Sequence, residues 1–165
     1  MVTATRGVDV RRQFVRHPGA VVVLPLLKTT DGVCVVTIRQ RRPAVDRVLV
    51  ELPAGTLERG EDPSLAAARE LEEETGFRAG RVEALACFLT SPGLSDERMW
   101  AFVASELQSV GQRLEEDEEI SVEIVAVKEA LDAVMRGDIE DAKSMLTLLV
   151  AERQGVLEKH GGRAR

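Results

Sequence analysis

The residues best equipped for chemistry stand together at residues 69–77, RELEEETGF, a run of glutamates led by one arginine and closed by a glycine. Upstream, Asp62 can cap the orphan amides of a helix, and Pro63 follows at the first helical position, where no amide is needed. Gly76 supplies the stop. At about 100° per residue, such a helix is expected to carry Glu70, Glu73 and Glu74 on one acidic arc and Leu65, Ala68 and Leu71 on the side facing a core. Carboxylates converging from a rigid scaffold are what a hard divalent cation requires, with room left for water and a phosphate. Arg69 relieves part of the repulsion among these acids and stands one turn before Glu73, a spacing that lets the two pair. Glu61, in the loop before the helix, can reach the same pocket.

Other elements must hold this helix in place. The chain has 165 residues, 44% of them apolar but only 3% aromatic, so it can bury one core of its own built mainly from Val, Leu and Ala. Residues 8–15 alternate charged and apolar side chains as a strand with one wet face does, and His17-Pro18-Gly19 breaks it, with His17 read as a turn residue. Residues 20–27 and 33–38 are β-branched runs joined through Asp31-Gly32 and predict a hairpin. An arginine cluster, residues 39–43, reads as a loop before a strand over residues 48–52 that runs straight into the acidic segment. Strands are further expected at 81–90, 99–104 and 120–127, with a surface loop at 91–97 and an acidic loop at 112–119. Helical spacing returns at 128–135, through Leu131, Val134 and Met135, and at 141–154, through Met145, Leu148 and Leu149; the tail beyond Leu157 is expected to fray.

The net charge of −6 argues against a general nucleic-acid binder, although bound cations would still admit a phosphate-bearing small molecule. Cys34 and Cys87 lie in separate apolar runs and read as buried free thiols, which fits a reducing cytoplasm. The longest apolar run, residues 20–27, is too short to span a bilayer, and the N-terminus lacks an apolar signal core, so no membrane partner is expected.

Gly55, Glu61, Arg69, Glu70, Leu71, Glu73, Glu74, Gly76 and Phe77 together resemble the complete Nudix box, GX5EX7REUXEEXGU, with every fixed position matched. The resemblance implies a single α/β domain, an α/β/α sandwich with a mixed sheet, over about residues 8–155. Pro92 lies sixteen residues after Gly76 in SPGLSDE, and together with RQRRP and ELPAG it resembles the ADP-ribose pyrophosphatases. That subgroup implies hydrolysis of ADP-ribose to AMP and ribose 5-phosphate, with two or three Mg2+ or Mn2+ ions that offset charge and acidify the attacking water. Glu70, Glu73, Glu74 and the Ala54 carbonyl are then the metal ligands, with Arg69 and Glu73 in the catalytic set. The general base is a glutamate of the acidic loop, Glu118 first, with Glu119 and Glu116 as competitors. Arg42 and Glu51, with Arg39, Pro92 and Gly93, fall to the substrate. The subgroup also implies a homodimer in which residues 8–15 cross to the partner. Two alternatives remain: a Nudix hydrolase of nucleotide sugars or dinucleoside polyphosphates, and a non-catalytic module that binds ADP-ribose.

Overall fold

The computed structural model describes residues 13–114 and 119–161. A mixed sheet of seven strands occupies the middle layer: β1 (Ala20–Thr29), β2 (Gly32–Arg42), β3 (Arg47–Glu51), β4 (Ala54–Thr56), β5 (Phe77–Leu89), β6 (Arg98–Ser109) and β7 (Ile120–Ala126). Among the described residues four helices complete the fold: α1 (Pro63–Thr75), α2 (Val127–Arg136), α3 (Ala142–Arg153) and α4 (Val156–Gly161). β1 is the hub. Its first half pairs antiparallel with β4 and parallel with β6, and its second half forms the expected hairpin with β2. β2 in turn pairs antiparallel with both β3 and β7.

β1 reads as one continuous apolar run because it is covered on both faces. Val21 and Val23 point to a cluster with Ala66, Ala67 and Leu71 of α1, while Val22, Leu24 and Leu26 point to a second cluster with Ala130 and Val134 of α2 and Leu148 and Ala151 of α3. The result is the three-layer α/β/α sandwich that the box implies.

α1 begins and ends where the sequence places it. The Asp62 side chain accepts from the Ser64 amide at 2.8 Å, Pro63 is the first helical residue, and Gly76 stops the helix in the left-handed region at φ 71° with its amide on Glu72 O. The orientation about the helix axis differs from expectation. Leu65 is 67% exposed and Ala68 only half-buried, whereas Ala66, Ala67, Leu71 and the carboxylate of Glu74 are buried. At about 100° per residue Ala66, Ala67, Leu71 and Glu74 share one side of the helix and Leu65 stands on the other, so the face turned to the sheet leaves it out.

Four further expectations change. The arginine cluster is a strand and not a loop, because residues 38–42 continue β2 against β3. Cys87 is exposed and Cys34 half-buried, both unpaired, since the run around Cys87 lies on the outer strand β5. Met135 is 78% exposed and Leu149 41%: α2 and α3 each turn only one stripe to the sheet, through Ala130 and Val134 and through Leu148 and Ala151. Beyond Leu157 the chain is helical through Gly161, tied down by burial of Leu157 itself. Of residues 8–15, only 13–15 are described; Val15 pairs with the loop at Ser95, donating to Leu94 O at 2.8 Å. Among the described residues no helix is long and apolar enough to cross a membrane.

Candidate active site

α1 and the turn from β3 into β4 face one another across a pocket of about 340 Å3, walled by Glu70, Glu73 and Glu74 on the helix and by Ala54, Gly55 and Arg42 opposite. A second pocket of about 320 Å3 shares Arg42, Ala54, Gly55 and Thr56 with it and extends the cleft toward Thr90, Met99 and Lys143. The two form one cleft, acidic at the α1 end and, at the α3 or cationic end, carrying the cations Arg42 and Lys143 beside Glu97 and Asp141.

At the acidic end Arg69 is the organiser. Its Nε and Nη2 donate to the two oxygens of Glu61 at 3.0 and 3.1 Å, and its Nη1 donates to Glu70 at 2.8 Å and Glu73 at 3.0 Å. These hydrogen bonds, led by the one to Glu61, raise the guanidinium above its ordinary pKa and pull the Glu61 carboxyl below the usual range. Glu74 is 2% exposed and accepts from the Ala54 amide at 2.9 Å, which ties helix to turn.

At the cationic end Glu51 is 1% exposed and receives the fork of Arg42, Nε to Oε1 and Nη2 to Oε2, both at 2.8 Å. Lys143 donates to the same carboxylate and also lies 2.9 Å from Asp141. Burial pushes the Glu51 carboxyl up, but the hydrogen bond from Arg42 and the charge of Lys143 outweigh it, leaving it lowered; the same bond raises Arg42. The first turn of α3 adds a further tie: Asp141 caps it through Ser144, and the Ser144 hydroxyl accepts from the Leu52 amide at 2.7 Å. The turn carrying Glu51 through Ala54 is thus gripped by α1 on one side and α3 on the other.

The residues present suit a hard cation. Carboxylates dominate the acidic end, and Gly55 leaves room for one of them: a Cβ there would stand 1.9 Å from the Glu70 carboxylate carbon and would displace that side chain. Among the described residues no three His, Cys, Asp or Glu side chains yet converge on one point, because Glu70 and Glu73 turn to Arg69 and Glu74 to the Ala54 amide.

The structure therefore gathers Ala54, Arg69, Glu70, Glu73 and Glu74 at one end of the cleft, with Arg42 between the two ends and Glu51 buried behind it. Arg39 does not line it; strand alternation turns it away from Arg42, to 3.6 Å from Glu123. Pro92 and Gly93 are exposed in the loop that follows Thr90, itself a cleft residue. Glu116 and Glu118 lie outside the described residues, and Glu119 is exposed beside the start of β7. The loop before them packs back on α1, with the Arg113 amide on Glu73 O at 3.0 Å and the Gln112 side chain on Glu74 O at 2.6 Å. His17 lies in the irregular segment before β1, its Nδ1 accepting from the Gly19 amide at 3.1 Å. Sequence reasoning missed Gln40 and Lys143. The two-residue spacing of Gln40 from Arg42 was a usable signal once β2 is seen to continue; for Lys143 there was none.

This arrangement of a sandwich, an acidic helix and a gripped turn has known counterparts. The family profile described as NUDIX domain matches residues 16–148. An ADP-ribose pyrophosphatase of Bacillus subtilis is 38% identical over 159 residues, covering 95% of this chain and 84% of that relative. A methanol dehydrogenase activator of Bacillus methanolicus is 37% identical over the same length and coverage. A solved ADP compounds hydrolase shares the fold at a TM-score of 0.76 and 21% identity, covering 86% of this chain and 75% of that one. The protein is a pyrophosphohydrolase by class. It belongs to the Nudix family, whose hydrolases generally use divalent metal ions.

Proposed function

We propose that this chain hydrolyses the pyrophosphate bond of ADP-ribose, releasing AMP and ribose 5-phosphate. The observation that carries the reading is the single cleft in which a complete box of carboxylates on α1 faces the Arg42–Glu51 pair across Gly55. It is supported by the similarity to an ADP-ribose pyrophosphatase. Glu70, Glu73, Glu74 and the Ala54 carbonyl would hold two or three Mg2+ or Mn2+ ions. When bound, these supply positive charge against the pyrophosphate and lower the pKa of the attacking water.

The chain's own residues do the rest. Arg42, held flat by Glu51, presents its remaining donor edge to a phosphate oxygen, a geometry for which a guanidinium is suited. Arg69 fixes the rotamers of Glu61, Glu70 and Glu73. A glutamate of the loop before β7, Glu118 or its neighbour Glu119, takes a proton from the water as its oxygen bonds to phosphorus, and the other phosphate departs with the bridging oxygen. Pro92 and Gly93 border the substrate on the Thr90 side. Two chains form a homodimer, and the enzyme works in the cytoplasm.

The experiment is a panel of ADP-ribose, nucleotide sugars and dinucleoside polyphosphates with Mg2+, reading AMP release and kcat/KM for each. A preference for ADP-ribose upholds the proposal; a higher kcat/KM for a nucleotide sugar or a dinucleoside polyphosphate, or no turnover, overturns it. Sedimentation that gives only monomer removes the homodimer.

A further inference from the structure

Among the described residues, one buried side-chain oxygen has no hydrogen-bond partner: Oε1 of Gln40. Its backbone is fixed on both sides, opposite Leu49 of β3 and Ile120 of β7, which sets the face of the sheet to which the side chain points. It lines the acidic end of the cleft with Glu70, Glu73 and Glu74 and not the cationic end. A buried amide oxygen without a donor is unfavourable, and a methionine of similar size would avoid the penalty.

No donor of the described residues reaches it. Arg69 is committed to Glu61, Glu70 and Glu73, and Arg42 turns one edge to Glu51 and keeps the other for a phosphate. Glu58, Glu70, Glu73 and Glu74 of the same lining are carboxylates, which when ionised only accept. The partner must arrive with the ligand. Ionised phosphate oxygens also only accept, so the groups that fit are a bound cation, a water or a hydroxyl. Gln40 stands opposite Ile120, directly after Glu119 in the segment that carries the base, which singles out the water.

Resting on the hydrolytic reading above, we propose that Gln40 is a catalytic residue whose amide oxygen accepts one hydrogen of the attacking water and aims its lone pair at phosphorus. The water's other proton passes to the loop glutamate. The water oxygen forms the new bond to phosphorus, the bond to the bridging oxygen breaks with its electron pair on the departing phosphate, and the hydrogen held by Gln40 leaves on the new phosphate oxygen.

Gln40→Met tests this with two readouts. In EDTA, free of divalent ions, the variant is expected to melt no lower than the wild type and up to about 2–4 °C higher, since the unpaired oxygen is gone. With ADP-ribose and Mg2+, kcat should fall about 10²-fold, the scale of losing the alignment of a reacting group, while KM and the Mn2+ dissociation constant move less than about threefold. A variant that melts several degrees lower assigns Gln40 a packing role and overturns the proposal, as does an unchanged kcat or a weakened Mn2+ affinity that accounts for the loss. An active wild type with an equally active variant overturns this proposal alone; a wild type inactive on every pyrophosphate removes the hydrolytic reading and this proposal together.

Discussion

Replacing Lys143 by methionine probes the cationic end of the cleft without touching the acidic one. Lys143 is 13% exposed and shares the buried Glu51 carboxylate with Arg42. Stripping a buried carboxylate of every partner costs about 3–5 kcal/mol. Here the Arg42 fork remains, so the loss is that of one charged hydrogen bond, about 2 kcal/mol. For a chain of this length that corresponds to a Tm lower by roughly 4–8 °C. The penalty also has a pH signature. Glu51 is held below the usual carboxylate range, and a group lowered in the folded state adds stability above its unfolded pKa of about 4.3, stability that is lost as pH falls through the folded value. The deficit of Lys143→Met is therefore full at neutral pH and shrinks in acid below that window. Melts followed by circular dichroism in both ranges measure it, with Lys128→Met as the control: that lysine pairs with Asp132 on the open surface and should leave Tm unchanged. A Lys143→Met protein that melts with the wild type at neutral pH, or whose deficit is the same in acid, refutes the reasoning.

Gly55→Ala places a methyl group 1.9 Å from the Glu70 carboxylate carbon and must push that side chain or the turn aside. Turnover should fall by about 10²-fold or more with the far-ultraviolet circular dichroism unchanged, and retained kcat would show that the close approach is dispensable. Leu71→Ala, at a fully buried position, should lose about 2–5 kcal/mol in urea unfolding, while Leu65→Ala should stay within about 0.5 kcal/mol of the wild type. Equal losses at both positions would contradict the orientation found for α1.

The acidic helix was legible because caps and box offsets are local: Asp62, Pro63, Gly76 and the glutamate spacing act within one element. Its rotation was not. Leu65 and Leu71 are both apolar but stand about 120° apart on a wheel, so the buried face could be drawn through Leu65 and Ala68 or through Ala66 and Ala67, and only docking on the sheet decides. The arginine cluster misled for a related reason. Four polar residues suggest a loop, yet pairing with β3 and β7 keeps them in a strand, and alternation then splits Arg39 and Arg41 from Gln40 and Arg42. Lys143 was beyond reach, since its contact with Glu51 joins residues 92 positions apart and depends on where α3 docks. Cys87 was expected inside because its neighbours are apolar, but it lies on β5, which among the described residues pairs along one edge only.

The central claim is that carboxylates on α1 hold divalent ions for the splitting of a phosphoanhydride by water. Glu74→Gln tests it most directly, because the amide keeps the size of the side chain and an oxygen for the Ala54 amide while removing the charge. The measurement is kcat/KM for AMP release from ADP-ribose across a Mg2+ titration, with circular dichroism as the check on folding. The account predicts a folded variant whose turnover is abolished at every Mg2+ concentration; a folded variant that cleaves ADP-ribose at the wild-type rate would contradict it.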